Sequence, residues 1–385
     1  MDNPALNPSV RLSPVENGYL AYDPVADRLH ELNPVAALIV ELCDGSRTVE
    51  EVRELVKPAL PEGAAEEVDR WIEEGMKVGL FTQGSHSAGR QELSAEELTK
   101  LAKRLRRSGQ IQTAYLCQRR ATELIPNNSH AWGVLGELAH ILGRRDQTRA
   151  AYEKYLELEP DDEETKLLLV ALRDEPPPPR APDECIQQLY QRFSSFYEFN
   201  VCEELSYEGP QRLYELIKAV LGDRQGLVAV DLGCGSGLAG SQMRSLAARM
   251  TGVDLSPEMI ELARARNIYD QLEVAEITRW LAGNQDHFDL IVACDCLIYF
   301  GDLRQVVIPS AKKLERDSVL AFTVERGDQY PFRLTDSGRY THHAQHIREV
   351  AAEAELHVAR LEEAFLRMEY GAEVTGLFVV LKNEG

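Results

Sequence analysis

No apolar run in this sequence approaches the roughly 18 residues that a membrane-spanning helix needs, so none is expected. The opening stretch, Met1 to Arg11, lacks the basic segment followed by an apolar one that marks a secretory leader, and a cytoplasmic location is the expectation. Positive charge is scarce as well: 42 basic residues face 63 acidic ones, a formal net charge of -21. Such a chain repels a phosphate backbone at long range unless a local basic patch intervenes. Nucleic acid is therefore not the expected partner, and the one dense cluster, Lys103, Arg104, Arg106 and Arg107, reads as a solvated helix face. Cysteine is sparse and scattered, seven residues in all. That odd number without zinc-ligand spacing suits reduced thiols, and no metal site is expected.

What is present suffices for packed cores, with 44% hydrophobic and 27% charged residues over 385 positions. That length exceeds what one core usually serves, so two or three domains are expected. Two breaks divide the chain. Glu175 to Pro182 reads EPPPPRAP, a polyproline II-like spacer that cannot continue a helix. Gln83 to Arg90 reads QGSHSAGR, a looser polar stretch. The expected domains are residues 1–85, 92–175 and 183–385.

The first segment opens with two strand-like runs, Gly18 to Tyr22 and Arg28 to Leu32, around a turn at Asp23-Pro24. Three helical signals follow. Asn33-Pro34 caps Val35 to Cys43, Thr48 and Glu51 have capping-box spacing ahead of Val52 to Val56, and Ala64 to Val78 is closed by Gly79-Leu80-Phe81. Two strands and three short helices describe a small winged-helix-like unit. A winged helix that binds DNA is disfavoured by the acidic third helix, with Glu66, Glu67, Asp69, Glu73 and Glu74. The stretch YDPVADRLHELNPVAALIVELCDGSRTVEEV resembles the PqqD-like domain, the precursor-peptide recognition element of ribosomal peptide-modifying systems, over about Pro8 to Phe81. The resemblance implies a leader peptide added as a strand to the sheet edge, here Arg28 to Leu32, and laid against the third helix around Val68, Ile72 and Met76. Plain core packing is the competing reading of those three residues.

The middle segment repeats with a period of 34 residues: Leu98, Leu101, Gly109, Ala114, Ala121 and Pro126 align with Trp132, Leu135, Gly143, Thr148, Tyr155 and Pro160. This is the pattern of tetratricopeptide helix pairs. Because about three stacked units are usually needed, Glu163 to Arg173 is expected to add a capping helix. A peptide-docking groove and a rigid spacer are equally open readings.

From Asp183 onward, strands and helices alternate as an α/β doubly wound sheet requires. Leu227 to Leu232 is a buried strand that runs into Gly233-Cys234-Gly235-Ser236-Gly237. Small residues there permit unusual backbone angles and let a ligand approach the main chain. Asp254 ends the next apolar strand, Met250 to Val253, 23 residues after Asp231; a carboxylate at that place can accept both hydroxyls of a ribose. A nicotinamide-binding fold shares these parts, but its glycine spacing is G-x-G-x-x-G rather than the G-x-G-x-G found here. Leu361 to Tyr370 and Glu373 to Lys382, around Gly371, read as a closing antiparallel hairpin. Cys294 and Cys296 alternate along a strand and so point to opposite faces, which does not sustain a shared metal.

The motifs VAVDLGCGSGLAG, TGVDLSPEMIELAR, FDLIVACDCLIYF and AFTVE, in this order, resemble the Rossmann-like, seven-stranded class I S-adenosylmethionine-dependent methyltransferases over Gln191 to Lys382. The resemblance is greatest to members that carry amino-terminal tetratricopeptide repeats. It implies S-adenosyl-L-methionine as cofactor. Gly233, Gly235 and Gly237 would wrap its methionine and ribose, with Asp231 near the amino group and Asp254 on the ribose. Met259 would cover an adenine face in the same contact set as Leu255, Glu276 and Ile277 would address the adenine edge, and Asp295 would sit near the methyl group. Aromatics between Leu189 and Tyr207, namely Tyr190, Phe193, Phe196, Tyr197, Phe199 and Tyr207, would form a lid. On the acceptor side Tyr299, Glu325 and His342 are the catalytic candidates, with Arg339, Tyr340 and His343 as further ones. His342, His343 and His346 lack a fourth ligand for a metal. A peptide or protein substrate, a precursor peptide above all, is the expected acceptor. A small-molecule methyltransferase with partner-recruiting front domains and a non-catalytic scaffold are the alternatives.

Overall fold

The computed structural model describes residues 3–15, 17–57, 60, 64–84, 93–193, 207–369 and 372–385. The chain forms two units, Met1–Glu159 and Pro160–Gly385.

In the first unit, strand β1 (Pro4–Leu6) is followed by a meander of β2 (Arg11–Val15), β3 (Gly18–Asp23) and β4 (Arg28–Leu32). The meander is antiparallel with β3 in the middle. Helices α1 (Pro34–Leu42), α2 (Val49–Val56) and α3 (Ala65–Lys77) come next, and β5 (Phe81–Gln83) returns to pair with β1. The caps work as their residues suggest. Asn33 accepts from the Ala36 amide, and the reciprocal Thr48–Glu51 box opens α2. Alternation along β3 gives the sheet two apolar faces. Ala21, with Leu12 and Leu32, packs on Ile39, Val52, Val68 and Ile72 of the three helices. Leu20 faces the other way, onto Leu98, Leu101 and Ala114 of the helices that follow. Val68 and Ile72 are thus core residues, and the expected docking face around them is not available; core packing is the reading that holds. The short strands β1, β2 and β5 escape sequence reading because β1 and β5 are three residues each and β2 contains Pro14.

Two helical hairpins complete the unit: α4 (Ala95–Arg107) with α5 (Ile111–Leu124), and α6 (Ser129–Ile141) with α7 (Arg145–Leu158). The 34-residue period has a physical basis. Gly109 and Gly143 each follow the first helix of a pair with left-handed φ of 77° and 67°, a conformation that favours glycine. The basic cluster is partly consumed internally, Arg104 pairing with Asp27 and Arg106 with Glu137.

The second unit begins with α8 (Glu163–Leu172) and α9 (Asp183–Phe193). Helix α8 was expected to cap the repeats, but its Leu167 and Ala171 belong to the apolar core of the second unit. The proline-rich stretch between α8 and α9 was expected to be a spacer. Instead it is stitched to the sheet domain: the Ala181 amide donates to Tyr299 O at 2.8 Å, the Gly301 amide to Pro179 O at 2.9 Å, and the Tyr340 hydroxyl to Pro178 O at 2.7 Å.

After α10 (Gly209–Leu221) come β6 (Leu227–Leu232), α11 (Leu238–Met243), β7 (Ala247–Asp254), α12 (Pro257–Ala265), β8 (Gln271–Val274), α13 (Ile277–Gly283) and β9 (Phe288–Ala293). Then follow α14 (Arg304–Ala311), β10 (Leu314–Arg326), β11 (Phe332–Leu334), β12 (Tyr340–His342), α15 (Ala344–Glu353), β13 (His357–Glu369) and β14 (Ala372–Lys382). Strands β8, β7, β6, β9 and β10 are parallel neighbours in that order, β14 pairs antiparallel to β10, and β13 pairs with β14. The small β12 and β11 extend the carboxyl end of β10. Val230, Ile291 and Phe322 fill one face of the sheet, and Ala229, Leu290 and Ala321 fill the other. The expected hairpin is present in β13 and β14; its turn at Gly371 lies outside the described residues. Among the described residues no helix is long and apolar enough to cross a membrane.

The fit of the second helical hairpin rests on Gly136, where a side chain would start 2.2 Å from Cε1 of Tyr152. Gly136→Val should therefore cost about 1–3 kcal/mol through overpacking. Urea unfolding reads this as a lowered midpoint, and an unchanged midpoint would mean that the Tyr152 ring yields freely.

Candidate active site

The site forms where β6, β7 and β9 end, since in an open α/β sheet the loops at the carboxyl ends of the strands leave a crevice. Beyond β6 the chain turns through Gly233, Gly235 and Gly237 with φ of 67°, 53° and 91°. At Gly233 a Cβ would fall 2.4 Å from that of Cys296, so only glycine lets the turn lie this close to the end of β9. The Gly233 and Cys234 amides donate to Val253 O at 2.7 and 3.0 Å, tying the turn to β7.

Asp254 is the hub of this arrangement. Its Oδ2 accepts from the Gly235 amide and its Oδ1 from the Ser256 amide, each at 2.8 Å. Burial pushes its carboxyl above the usual range while the amide bonds oppose that rise. A carboxylate oxygen has more than one lone pair, so both oxygens can accept further donors. Ser256 then caps α12 by accepting from the Met259 amide.

At a second wall, Glu276 caps α13, taking the Thr278 and Arg279 amides at 2.9 Å each. A third wall is the end of β9, where Asp295 adopts a left-handed φ of 55°. Its carboxylate is clasped by Nη1 of Arg367 at 2.9 and 3.1 Å, and Nη2 of the same guanidinium holds Glu325. Arg367 is 2% exposed and lies just past a bulge in β13. Two inward carboxylates beside one fully buried guanidinium give a satisfied ionic cluster. Arg339 adds a second positive charge, 3.9 Å from Glu325.

These walls border a cavity open to solvent, lined by Gly233, Gly235, Asp254, Leu255, Glu276, Ile277, Asp295 and Tyr299 among others. Eight of the cofactor and catalytic candidates thus meet in one place. Asp231, Gly237, Met259, Glu325 and His342 do not line it. Asp231 lies behind the glycine turn, where its Oδ2 accepts from the Tyr269 hydroxyl at 2.7 Å, and burial raises its carboxyl to about 7. Gly237 shapes the turn as the N-cap of α11. Met259 is completely buried one turn into α12, so Leu255 takes the wall position expected of it. Glu325 reaches the cavity wall only through Arg367.

His342 is a correction. It is wholly buried with Nε2 3.2 Å from Gly301 O, stacked on His346 and beside Phe332, and burial lowers it to about 4. A ring so placed has no access to the cavity and is no general base there. Tyr340 is likewise buried, and His343 caps α15 through Nδ1. Tyr299 does line the cavity, its hydroxyl 3.3 Å from that of Tyr190; burial raises its pKa, so it is a neutral phenol. Of the expected lid, Tyr190 and Tyr207 line the cavity and the Tyr207 hydroxyl meets Cys294 Sγ at 3.2 Å. The Phe193 side chain and Phe196, Tyr197 and Phe199 lie outside the described residues. Sequence reading missed Arg180, Ile186 and Arg367. None of these carried a local signal: Arg367 shares its strand with Arg360, Glu362, Glu363 and Glu369. Among the described residues no group of three or more His, Cys, Asp or Glu is placed to hold a metal ion.

Residues 229–316 match the family model of a methyltransferase domain, and residues 18–80 match that of coenzyme PQQ synthesis protein D. The ubiquinone biosynthesis O-methyltransferase of Xanthomonas oryzae pv. oryzae is 29% identical over 170 residues, which are 40% of this chain and 67% of that protein. Its counterpart in Bordetella avium is 30% identical over 183 residues, covering 42% and 73%. Among solved structures, magnesium protoporphyrin IX methyltransferase from Synechocystis PCC 6803 aligns with a TM-score of 0.41 at 16% identity, over 52% of this chain and 100% of that one.

The buried histidine has a consequence for stability. Its folded pKa, about 4, lies below the ordinary 6.5. The unfolded chain therefore binds the proton first, and the stabilisation present above pH 6.5 is lost as pH falls toward 4. His342→Gln should flatten this part of the acid-side decline, as read by urea unfolding between those pH values. A variant with the wild-type slope would show that the ring is solvated in the folded state.

Proposed function

Given that this chain belongs to the S-adenosylmethionine-dependent methyltransferases, we propose that it methylates a peptide or protein, a ribosomally made precursor peptide above all. The cofactor is S-adenosyl-L-methionine. The cavity suits it on two grounds: a turn that tolerates no side chain at Gly233, and a buried carboxylate with spare lone pairs at Asp254.

When bound, the cofactor supplies a methyl group that is already electrophilic, so the protein's task is positioning and water exclusion. Asp254 would accept the ribose hydroxyls, Leu255 would cover one face of the adenine, and Glu276 and Ile277 would address its edge. Gly233 and Gly235 approach the methionine portion. Asp295 and Tyr299 face the acceptor end, where Asp295, fixed by Arg367, accepts a hydrogen bond and Tyr299, held neutral, donates one. Neither Glu325 nor His342 handles a proton of the acceptor in this reading.

The observation that carries the peptide reading is the outer edge of β4. The strand lies within the segment that matches the PqqD model, pairs with β3, and has no other strand partner among the described residues. Its Arg28 donates to Val78 O at 3.0 Å, which sets the carboxyl end of α3 beside the start of that edge. An extended peptide added there gains main-chain hydrogen bonds with little demand on its sequence. The paired helices would serve as tetratricopeptide units that either dock peptide or hold the recognition element away from the catalytic unit. A second reading, O-methylation of a small molecule with the front domains recruiting partners, is favoured by relatives named as O-methyltransferases of ubiquinone biosynthesis.

Incubation of the full chain with the cofactor and a precursor peptide encoded beside its gene should add the mass of one methylene, and Asp254→Ala should abolish it. Calorimetry should show the same variant losing cofactor affinity by about tenfold or more, as expected when charge-assisted bonds to a ribose vanish. Methyl transfer to a catechol-type phenol, with none to any peptide, would decide for the second reading.

A further inference from the structure

The wall of the cavity opposite the glycine turn comes from chain outside the residues matched by the methyltransferase model, 229–316. It is built by the proline-rich stretch and the helix after it. Arg180 and Phe300 form a β-bridge, and the Arg180 guanidinium lies over the Phe300 ring, 5.9 Å from its centre. The same group pairs with Asp183 at 2.6 Å and stands 4.0 Å from Glu276. Asp183 also pairs with Arg279, whose amide is bound by Glu276. Arg180, Ile186, Glu276 and Phe300 all line the cavity. Ala181 and Cys185, after the bridge, are buried in the core of the unit, and Pro178, before it, accepts from the Tyr340 hydroxyl, so the strap is anchored on both sides of the bridge.

We propose that Arg180 is a specificity-determining residue of the cofactor site, and that the strap carrying it is the part of the wall that tells adenine from other purines. This rests on the reading of the cavity as the cofactor site. Two physical features support it. First, a planar guanidinium already fixed by a carboxylate and an aromatic ring presents its remaining face at small entropic cost, and such a face stacks on an aromatic base. Second, its charge stands 4.0 Å from Glu276 and orients that carboxylate, which can accept from an exocyclic amino group. Hypoxanthine carries a carbonyl oxygen in that position, and a carbonyl facing a carboxylate is repelled rather than bound. Arg180 thus acts on the base directly by stacking and on its edge through Glu276.

The test uses the full chain, isothermal calorimetry and two probes, S-adenosylhomocysteine and its inosine counterpart. The wild type should prefer the adenine form. Arg180→Ala should weaken that form by roughly tenfold and the inosine form by only about threefold, the shared part being the stacking contact and the remainder the charge beside Glu276. Arg180→Lys keeps the charge but not the plane, and should restore part of the discrimination. Tyr340→Phe loosens the strap at Pro178 without altering the cavity wall, and should leave the ratio of the two affinities unchanged. An equal loss for both probes in Arg180→Ala would overturn the proposal, because a merely structural strap weakens both alike; so would no loss for either. A wild type that binds neither probe would instead sink the assignment of the cavity, a separate failure.

Discussion

The architecture of the catalytic unit depends on one short contact, the Gly235 amide donating to the Asp254 carboxylate across the ends of two adjacent strands. It joins the turn after β6 to the loop after β7, so two walls of the cavity are tied together. The left-handed glycines make the approach possible, and the Val253 carbonyl, receiving two amides from the turn, keeps it in register. A carboxylate this deeply buried is costly to ionise. Its amide partners offset part of that cost, and the remaining lone pairs are directed toward a ligand.

A second buried ionic group lies at the other end of the cavity. Arg367 satisfies Asp295 and Glu325 together, and removal of any one member would leave an unpaired charge in an apolar sheet. The bulge in β13 is what turns this side chain toward β9 and β10. The wall residue Asp295 is thereby tied to the outermost strand pair of the sheet.

Much of this was legible in the sequence, for reasons that differ from residue to residue. The strand, the glycine turn and Asp254 share a local pattern whose geometry is fixed by a few dihedral angles, and all of them meet in the cavity. Met259 and Leu255 show the limit: helix phase is set by the Ser256 cap, which turns Met259 inward and leaves Leu255 on the wall. His342 was misjudged because three residues of strand carry too little periodicity to reveal burial. For Val68 and Ile72 the apolar face of α3 was readable, but what covers that face is a matter of tertiary packing. Arg180 lines the cavity, and Arg367 holds Asp295 at its wall, from positions far along the chain from the motifs they join, and no local pattern records that.

Helix α8 carries a consequence for how the molecule can be divided. Composition suggests a cut at the prolines, yet Leu167 and Ala171, on the amino-terminal side of them, fill the interior of the sheet domain. A fragment severed after the prolines would carry a greasy scar where α8 had been and would stick to itself or to other chains. The natural seam lies earlier, between Glu159 and Pro160, so the hydrophobic plug travels with the enzyme rather than with the helical repeats.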